Sequence, residues 1–398
     1  MSEPVPRKEI YILLTLAAVQ FTNIMDFMIM MPLGPQLRDI FHITPAQFGL
    51  LVSAYTLTAG AVGFFSSFFV DRFDRKRTLS WAYFGFTIGT FMCAFATSYE
   101  LLLLARAGTG VFGGLIGGLT FSICGDLIPF ERRGRAMGIV MTSFSAASVF
   151  GVPFGLFLAT KYNWHAPFVF LGAFGLILQG FIYKLIPPVG AHLSGPGTKK
   201  PFELIQSVMK SRSQSFAVFL VSALMLGQFT IIPFLADYMV RNVGFTTSQL
   251  PYIYFFGGLA TIVSSPIIGR LSDKFGSAKV FLYAAFLALI PIWFITHLGP
   301  TPVPLVLILT TLFFVIGGGR MVPAMALVTS SVEPRFRGGF MSLSGSLQQL
   351  FAGIAALIGG MIVYEQDGKL VNYNYVCYLT ILATFLCVYI SRQIRPVS

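Results

Sequence analysis

Two arginines and one aspartate sit where a lipid-facing chain would carry only apolar residues. Asp26, Arg106 and Arg320 each fall inside a long apolar run. An ionised side chain at mid-span costs about 2.5 to 3.5 kcal/mol on insertion scales, so each must face a partner or an aqueous cavity rather than lipid. Asp26 is the acid placed well inside a run of the first half. A carboxyl there can take up and release a proton in competition with a cationic or polar solute entering the same space. Arg320 offers a counter-charge, either for Asp26 or for an anionic solute. Asn23, Tyr55, Gln228 and Gln348 can offer a bound solute hydrogen bonds, although each also suits an ordinary contact between helices.

Elements that could hold such groups are visible around a charged loop. Val70–Leu79 packs six charges into ten residues between two apolar runs, a composition that cannot rest in hydrocarbon. About half a chain later, Gly269–Val280 again ends an apolar run in an acid, Asp273, followed by basic residues. Loops between membrane helices collect Lys and Arg anyway, but the matched acid points to two copies of one unit. Gln228-Phe229-Thr230 echoes Gln20-Phe21-Thr22, and Glu333–Gly338 echoes Glu131–Gly134. No acid stands in the second copy where Asp26 stands in the first, so a proton-active group belongs to the first half.

With 55% hydrophobic and 11% charged residues and a mean hydropathy of +0.77, the composition is that of a polytopic membrane protein. At roughly 20 residues per crossing, twelve spans are predicted: 10–33, 46–70, 78–97, 101–123, 137–160, 166–186, 216–239, 250–269, 280–297, 303–330, 340–364 and 373–390. The fold class expected is therefore an all-α membrane protein, twelve transmembrane helices in two pseudo-symmetric six-helix bundles. The first bundle takes 1–186, a polar cytoplasmic linker 187–215, and the second bundle 216–398. Of 27 Lys and Arg residues, only Arg38, Lys161, Arg241 and Lys369 fall outside, and Arg106 and Arg320 fall within spans. That asymmetry puts both termini in the cytoplasm. It turns the net charge of +12 into a topology signal with affinity for anionic lipid. No soluble part is left for a nucleic acid.

Within the spans, Gly110, Gly114 and Gly118 recur every four residues and predict close helix packing, while Gly151-Val152-Pro153-Phe154-Gly155 predicts a kink. Tyr162 and Trp164 are expected at the outer membrane interface. The first span is too long to read as a cleaved leader and should stay as a helix. Cys93, Cys124, Cys377 and Cys387 have no metal-ligand spacing and read as small core residues. The four His residues make no HExxH, and neither GxSxG nor GxxxxGK occurs, so hydrolytic and nucleotide-driven chemistry lack their residues. No metal, cofactor or enzymatic activity is expected.

Over essentially its full length the chain resembles the major facilitator superfamily, and most its twelve-helix drug/proton antiporter branch with sugar-efflux-like relatives. Asp71, Arg72, Arg75 and Lys76 match the cytoplasmic loop motif, although its two glycine positions are here Ser67 and Asp74. The second copy keeps Gly269, Asp273 and Gly276. Arg106 with Gly110 is similar to the fourth-helix arginine motif, with Thr109 in place of Gln. Gly151, Pro153 and Gly155 resemble the fifth-helix antiporter motif, with Pro one place late. The resemblance implies a secondary transporter with a central cavity opening alternately to each side. It also implies a conformational latch in which Asp71 accepts from Arg75, Arg133 and Arg135 near Phe340. Proton-coupled export of amphipathic or drug-like small molecules is the expected function, with Asp26 and Arg106 as the coupling pair. The alternative is a narrower task on the same fold, such as moving a metabolite, sugar or lysolipid in either direction. The expected setting is a monomer in a bacterial inner membrane, with small-molecule substrate, protons and lipid as its partners.

Overall fold

Four prolines, Pro32, Pro153, Pro233 and Pro323, sit at breaks or π turns in the long spans, whereas Pro266 and Pro291 lie inside unbroken helices. The computed structural model describes residues 7–66, 68–190, 193, 208, 211–333, 337–395 and 397. Helix α1 (Arg7–Ile29) stops short of the expected Leu33, because Pro32 has no N–H for the carbonyl of Met28. The chain restarts as a short α2 (Gly34–Phe41), closed by His42 in the left-handed region at φ 50°. Then follow α3 (Pro45–Ser66), α4 (Arg75–Ala94), α5 (Tyr99–Leu127) and α6 (Phe130–Ala146). The expected kink in the next stretch is a π turn at Ala147–Gly151 leading into α7 (Val152–Lys161), where Pro153 leaves the Val149 carbonyl without its helical donor. Helix α8 (Ala166–Leu185) ends the first half.

The second half repeats the device. Helix α9 (Arg212–Phe229) breaks before α10 (Ile232–Tyr238), because Pro233 cannot serve the Phe229 carbonyl, and a π turn at Met239–Val243 finishes the span. Helices α11 (Leu250–Phe275) and α12 (Ser277–Thr296) are continuous. The tenth span, expected unbroken over 303–330, is α13 (Val303–Gly319) and α14 (Met321–Ser330) joined at Arg320, where Pro323 orphans the Gly319 carbonyl. Helix α15 (Arg337–Ile362) leads into a hairpin of β1 (Tyr364–Gln366) and β2 (Lys369–Val371), a departure from the all-helical expectation. Its turn is Asp367-Gly368, both at positive φ, as a two-residue hairpin turn requires. Helix α16 (Tyr373–Ser391) closes the fold.

Eleven segments among the described residues are long and apolar enough to cross a membrane. Helix α4, which begins Arg75-Lys76-Arg77, is not among them. The molecule is an all-α membrane protein apart from that one hairpin. Two faces result: a basic face carrying the 70–77 loop, the start of α1 and the end of α16, and a hairpin face carrying α2 and β1–β2.

The apolar core is divided unevenly between these faces. Toward the hairpin face, residues of both halves share one core, in which Leu37, Phe48 and Phe168 pack with Phe234, Ile292 and Ala356. Toward the basic face there are two: one built from the first half around Leu16, Tyr83 and Ile182, the other from the second half around Leu220, Phe281 and Val328. The buried apolar clusters are thus shared by the halves toward the hairpin face and built within one half toward the basic face, while the α3–α15 seam runs on to Gly60, Gly63 and Ser346. The tightest seam between them is α3 against α15. A Cβ on Gly49 would lie 2.6 Å from the Ala356 carbonyl, and one on Gly360 would lie 2.9 Å from that of Pro45, so only glycine permits this approach.

Candidate functional site

The charges singled out in α1 and α5 meet. Arg106 donates from Nη1 to Asp26 Oδ2 at 2.6 Å and to the Asp26 carbonyl at 3.4 Å, and the Thr90 hydroxyl donates to Oδ1 at 3.3 Å. Both charged side chains are fully buried. The guanidinium lies 4.5 Å from the centre of the Tyr55 ring, close enough for a cation–π contribution. Glycines make this possible: Cβ atoms on Gly110 and Gly114 would lie 2.3 Å from the Tyr55 carbonyl and 2.2 Å from that of Ala59. Helix α5 therefore beds directly on α3 and carries Arg106 to the ring. Gly118, expected to continue that line, meets nothing within 4 Å. Gly151 and Gly155 admit Met25 and Ile29 of α1 at 3.1 and 2.7 Å from their would-be Cβ atoms. The region around Pro153 thus supports the helix that carries Asp26.

A buried ion pair is weak evidence for stability, since desolvation offsets much of the attraction, whereas losing one member leaves an uncompensated charge. What it does provide is a carboxylate whose counter-ion is fixed and whose remaining oxygen is held by one hydroxyl. The pair is also linked to the other half. Phe27, next to Asp26, stacks on Tyr55 at 5.5 Å and on Phe229 of α9 at 5.7 Å.

Other residues expected at the cavity divide into two groups. Tyr55 donates to Asn23 Oδ1 at 2.8 Å, and Asn23 Nδ2 donates to the Gly113 carbonyl at 3.5 Å. Both are buried, so they brace the ion pair instead of presenting free groups to a solute, because their polar atoms already have partners. Gln228 and Gln348 are half-buried. Gln348 donates to Ser344 Oγ at 3.3 Å, and Gln228 Nε2 lies 3.9 Å from where Gly317 would carry a Cβ. Gln20, the first-half counterpart of Gln228 in the repeat, is a further candidate: its buried Oε1 has no partner among the described residues and its Nε2 faces Gly117.

Arg320 does not meet Asp26. It is 2% exposed, donates from Nη1 to Thr384 Oγ1 at 3.2 Å, and its Nε has no partner. Among the described residues no carboxylate comes within ion-pair distance of it.

At the basic face, Val70–Arg72 forms a 3₁₀ turn, and the Asp71 side chain lies outside the described residues, as does Ser67. Arg75 donates to Asp126 Oδ2 at 2.6 Å, Lys76 to the Tyr183 carbonyl at 2.9 Å, and Arg133 Nε to the Ile128 carbonyl at 3.0 Å. Asp74 caps α4 through the Arg77 amide at 2.8 Å and accepts the Val189 amide at 2.7 Å. The loop is thereby fastened to the start of the polar linker. Arg72 and Arg135 are exposed, and so is Asp273, which makes no ion pair with a described residue. Trp164, expected at the membrane interface, is 3% exposed and packs edge-on against Phe41; Tyr162 beside it is exposed.

One cluster escaped sequence reasoning. On the hairpin face, Arg38 of α2 bonds Asp237 of α10 and Glu365 of β1, and Arg241 bonds Asp39 of α2. Arg241 also bonds Asp237 at 2.7 Å and Glu365 at 3.3 Å. Arg38 and Arg241 had been read only as basic residues outside the membrane.

Two helical halves share a core at one face, and the first of them holds a buried charge pair within a polytopic membrane fold. The sequence profile of the Major Facilitator Superfamily matches residues 16–230 and 217–397. The chain belongs to that superfamily. It is 28% identical over 348 residues to the uncharacterized MFS-type transporter YceJ of Bacillus subtilis (strain 168), covering 87% of each chain. It is 21% identical over 340 residues to the "Probable sugar efflux transporter" of Mannheimia succiniciproducens, covering 85% of this chain and 83% of the relative. Among solved structures, a bacterial homolog of the human lysosomal transporter Spinster, inward-facing and unoccupied, superposes with a TM-score of 0.71 at 18% identity. That match covers 98% of this chain and 95% of the other.

Proposed function

We propose that the protein is a proton-coupled exporter of amphipathic or drug-like small molecules that works by alternating access, with Asp26 as the proton carrier and Arg106 as its counter-ion. The observation that carries this reading is the Asp26–Arg106 pair, buried in one half and linked through Tyr55 and Phe27 to Phe229 of the other. Protonating Asp26 removes the charge that fixes Arg106, and releasing Arg106 loosens the ring stack that touches the second half. A proton can in this way bias how the halves meet, which is what coupling requires. Gln20, Gln228 and Gln348 supply hydrogen bonds along the space between the halves.

The basic face is the cytoplasmic one by its Lys and Arg excess, in a cell membrane of the bacterial inner type, with both termini cytoplasmic. The protein works as a monomer of two bundles, 1–186 and 216–398, tethered by 187–215. The shared core and the cross-half ion pairs at the hairpin face support reading this structure as closed on that side. The Asp71 loop, with Arg75, Arg133 and Arg135, forms the latch that closes in the opposite state.

A second reading is favoured by a specific observation. Arg320 is a buried cation without a described carboxylate partner, and relatives are named as sugar efflux transporters, which together favour a narrower polar or anionic metabolite as the substrate. Uptake by inside-out vesicles under an imposed proton gradient, run over labelled amphipathic cations, amphipathic anions and sugars, separates the two. Gradient-dependent accumulation of cations with none of sugars or anions supports the first reading; the reverse pattern supports the second.

A further inference from the structure

We propose that Arg38, Asp39, Asp237, Arg241 and Glu365 form a charged seal between the two halves, which holds the hairpin face shut and must part for the cavity to open on that side. The seal rests on the alternating-access reading. Three of its bonds cross from one half to the other: Arg38 to Asp237, Arg38 to Glu365, and Arg241 to Asp39. Two stay within the second half, Arg241 to Asp237 and Arg241 to Glu365. Arg38 and Asp237 are at most 1% exposed, whereas Asp39 is 68% exposed. The ring therefore runs from a dry centre to a wet rim.

Its placement is built locally. Pro32 and Pro35 end α1 and start α2, so Arg38 leaves the line of the first span and crosses to the other half. Pro233 does the same to the seventh span, and the π turn that follows keeps Arg241 on the face of Asp237. Glu365 is positioned by the Asp367-Gly368 hairpin, which is clamped to the same π turn. Asn242 Nδ2 donates to the Leu370 carbonyl and Asn242 Oδ1 accepts from the Leu370 amide, each at 2.9 Å.

The charges are also distributed so that the seal can divide. When the halves separate, the second half keeps Arg241 with Asp237 and Glu365. Arg38 gains no partner from Asp39, since consecutive residues of a helix do not face each other, so its charge must pass to water as the face opens. A cleft of about 710 Å³ lies over the ring, lined by Arg38, Asp39, His42, Arg241 and Glu365 among others, so water can reach the rim charges as they part. A simple staple for α2 and the hairpin would show the same bonds. It would not, however, couple to the far face of the molecule.

The test measures spin-label distances in full-length protein, with one label pair at Ile40→Cys and Gln366→Cys across the hairpin face and another at Lys184→Cys and Lys274→Cys across the basic face. All four native cysteines are buried. Arg38→Gln/Asp237→Asn removes the dry pair without leaving either charge alone. Close buried charge pairs carry enough coupling for the population open at the hairpin face to rise roughly tenfold, with longer distances there and shorter ones at the basic face. If neither distance distribution changes, or if the hairpin face widens while the basic face stays as it was, the ring is a local staple and the proposal is wrong. If that double variant does not insert, Asp39→Asn/Glu365→Gln keeps the buried pair, removes two of the three crossing bonds, and should give a smaller shift in the same directions. No shift in that variant overturns the seal. The readout uses neither substrate nor proton gradient, so it stands or falls apart from the assignment of Asp26.

Discussion

Replacing Arg106 separates its charge from its shape. In Arg106→Gln, Asp26 loses a 2.6 Å ionic partner in a fully buried setting and keeps only the Thr90 hydroxyl at 3.3 Å. Breaking a buried pair from one side costs about 3 to 5 kcal/mol, chiefly because the remaining charge has no water. Asp26→Asn/Arg106→Gln removes both charges and should recover most of that loss. Arg106→Lys keeps the charge but gives up the planar contact with the Tyr55 ring at 4.5 Å, worth about 0.5 to 2 kcal/mol, so it should fall between wild type and Arg106→Gln. Because all four cysteines are free and buried, a thiol-reactive fluorophore reports unfolding in detergent without added labels. The expected order of stability is wild type, Arg106→Lys, then Arg106→Gln, with the double variant above Arg106→Gln. Additive losses, with the double variant lowest, would refute the view that the pair is one electrostatic unit.

Among the described residues Arg320 makes one side-chain bond, to Thr384, so Arg320→Lys should retain more transport than Arg106→Lys at equal membrane levels; equal loss in a vesicle flux assay would contradict this. Asp71→Asn should leave the protein inserted but weaken the state open to the hairpin face, raising the reactivity of single-cysteine reporters from the basic face. Unchanged reactivity and unchanged transport would make the loop a topology signal only.

Much of this was legible in the chain because a charge in an apolar run has few places to go. Asp26 and Arg106 stood out, and the structure joins them, since α1 and α5 carry few other polar side chains able to satisfy either. The proline at the fifth span announced its kink for a local reason, the missing N–H. The equivalent breaks after Phe229 and at Gly319 follow the same chemistry, yet they were hidden because hydropathy runs straight through them. The hairpin-face ring was not legible. Its crossing bonds join Arg38 to Asp237, 199 residues away, and to Glu365, 327 residues away, in loops whose polar residues had reason enough to be there. Trp164 was misplaced for a related reason: an aromatic ring near a span end suits the lipid interface, but the turn at α2 brings Phe41 over it. For Asn23 and Tyr55 the sequence shows polarity, but not that each already has a hydrogen-bond partner in this structure.

The central claim is that Asp26 carries the coupled proton. Asn keeps the shape of Asp26, and its one amide oxygen can still accept from Arg106, but it cannot ionise. The measurement is accumulation of labelled substrate in inside-out vesicles under an imposed proton gradient, wild type against Asp26→Asn, with binding followed across pH. The account predicts that the Asn variant, present at normal levels, loses uphill accumulation, retains downhill exchange, and binds with a flattened pH dependence. Accumulation against the gradient with wild-type pH dependence would contradict it.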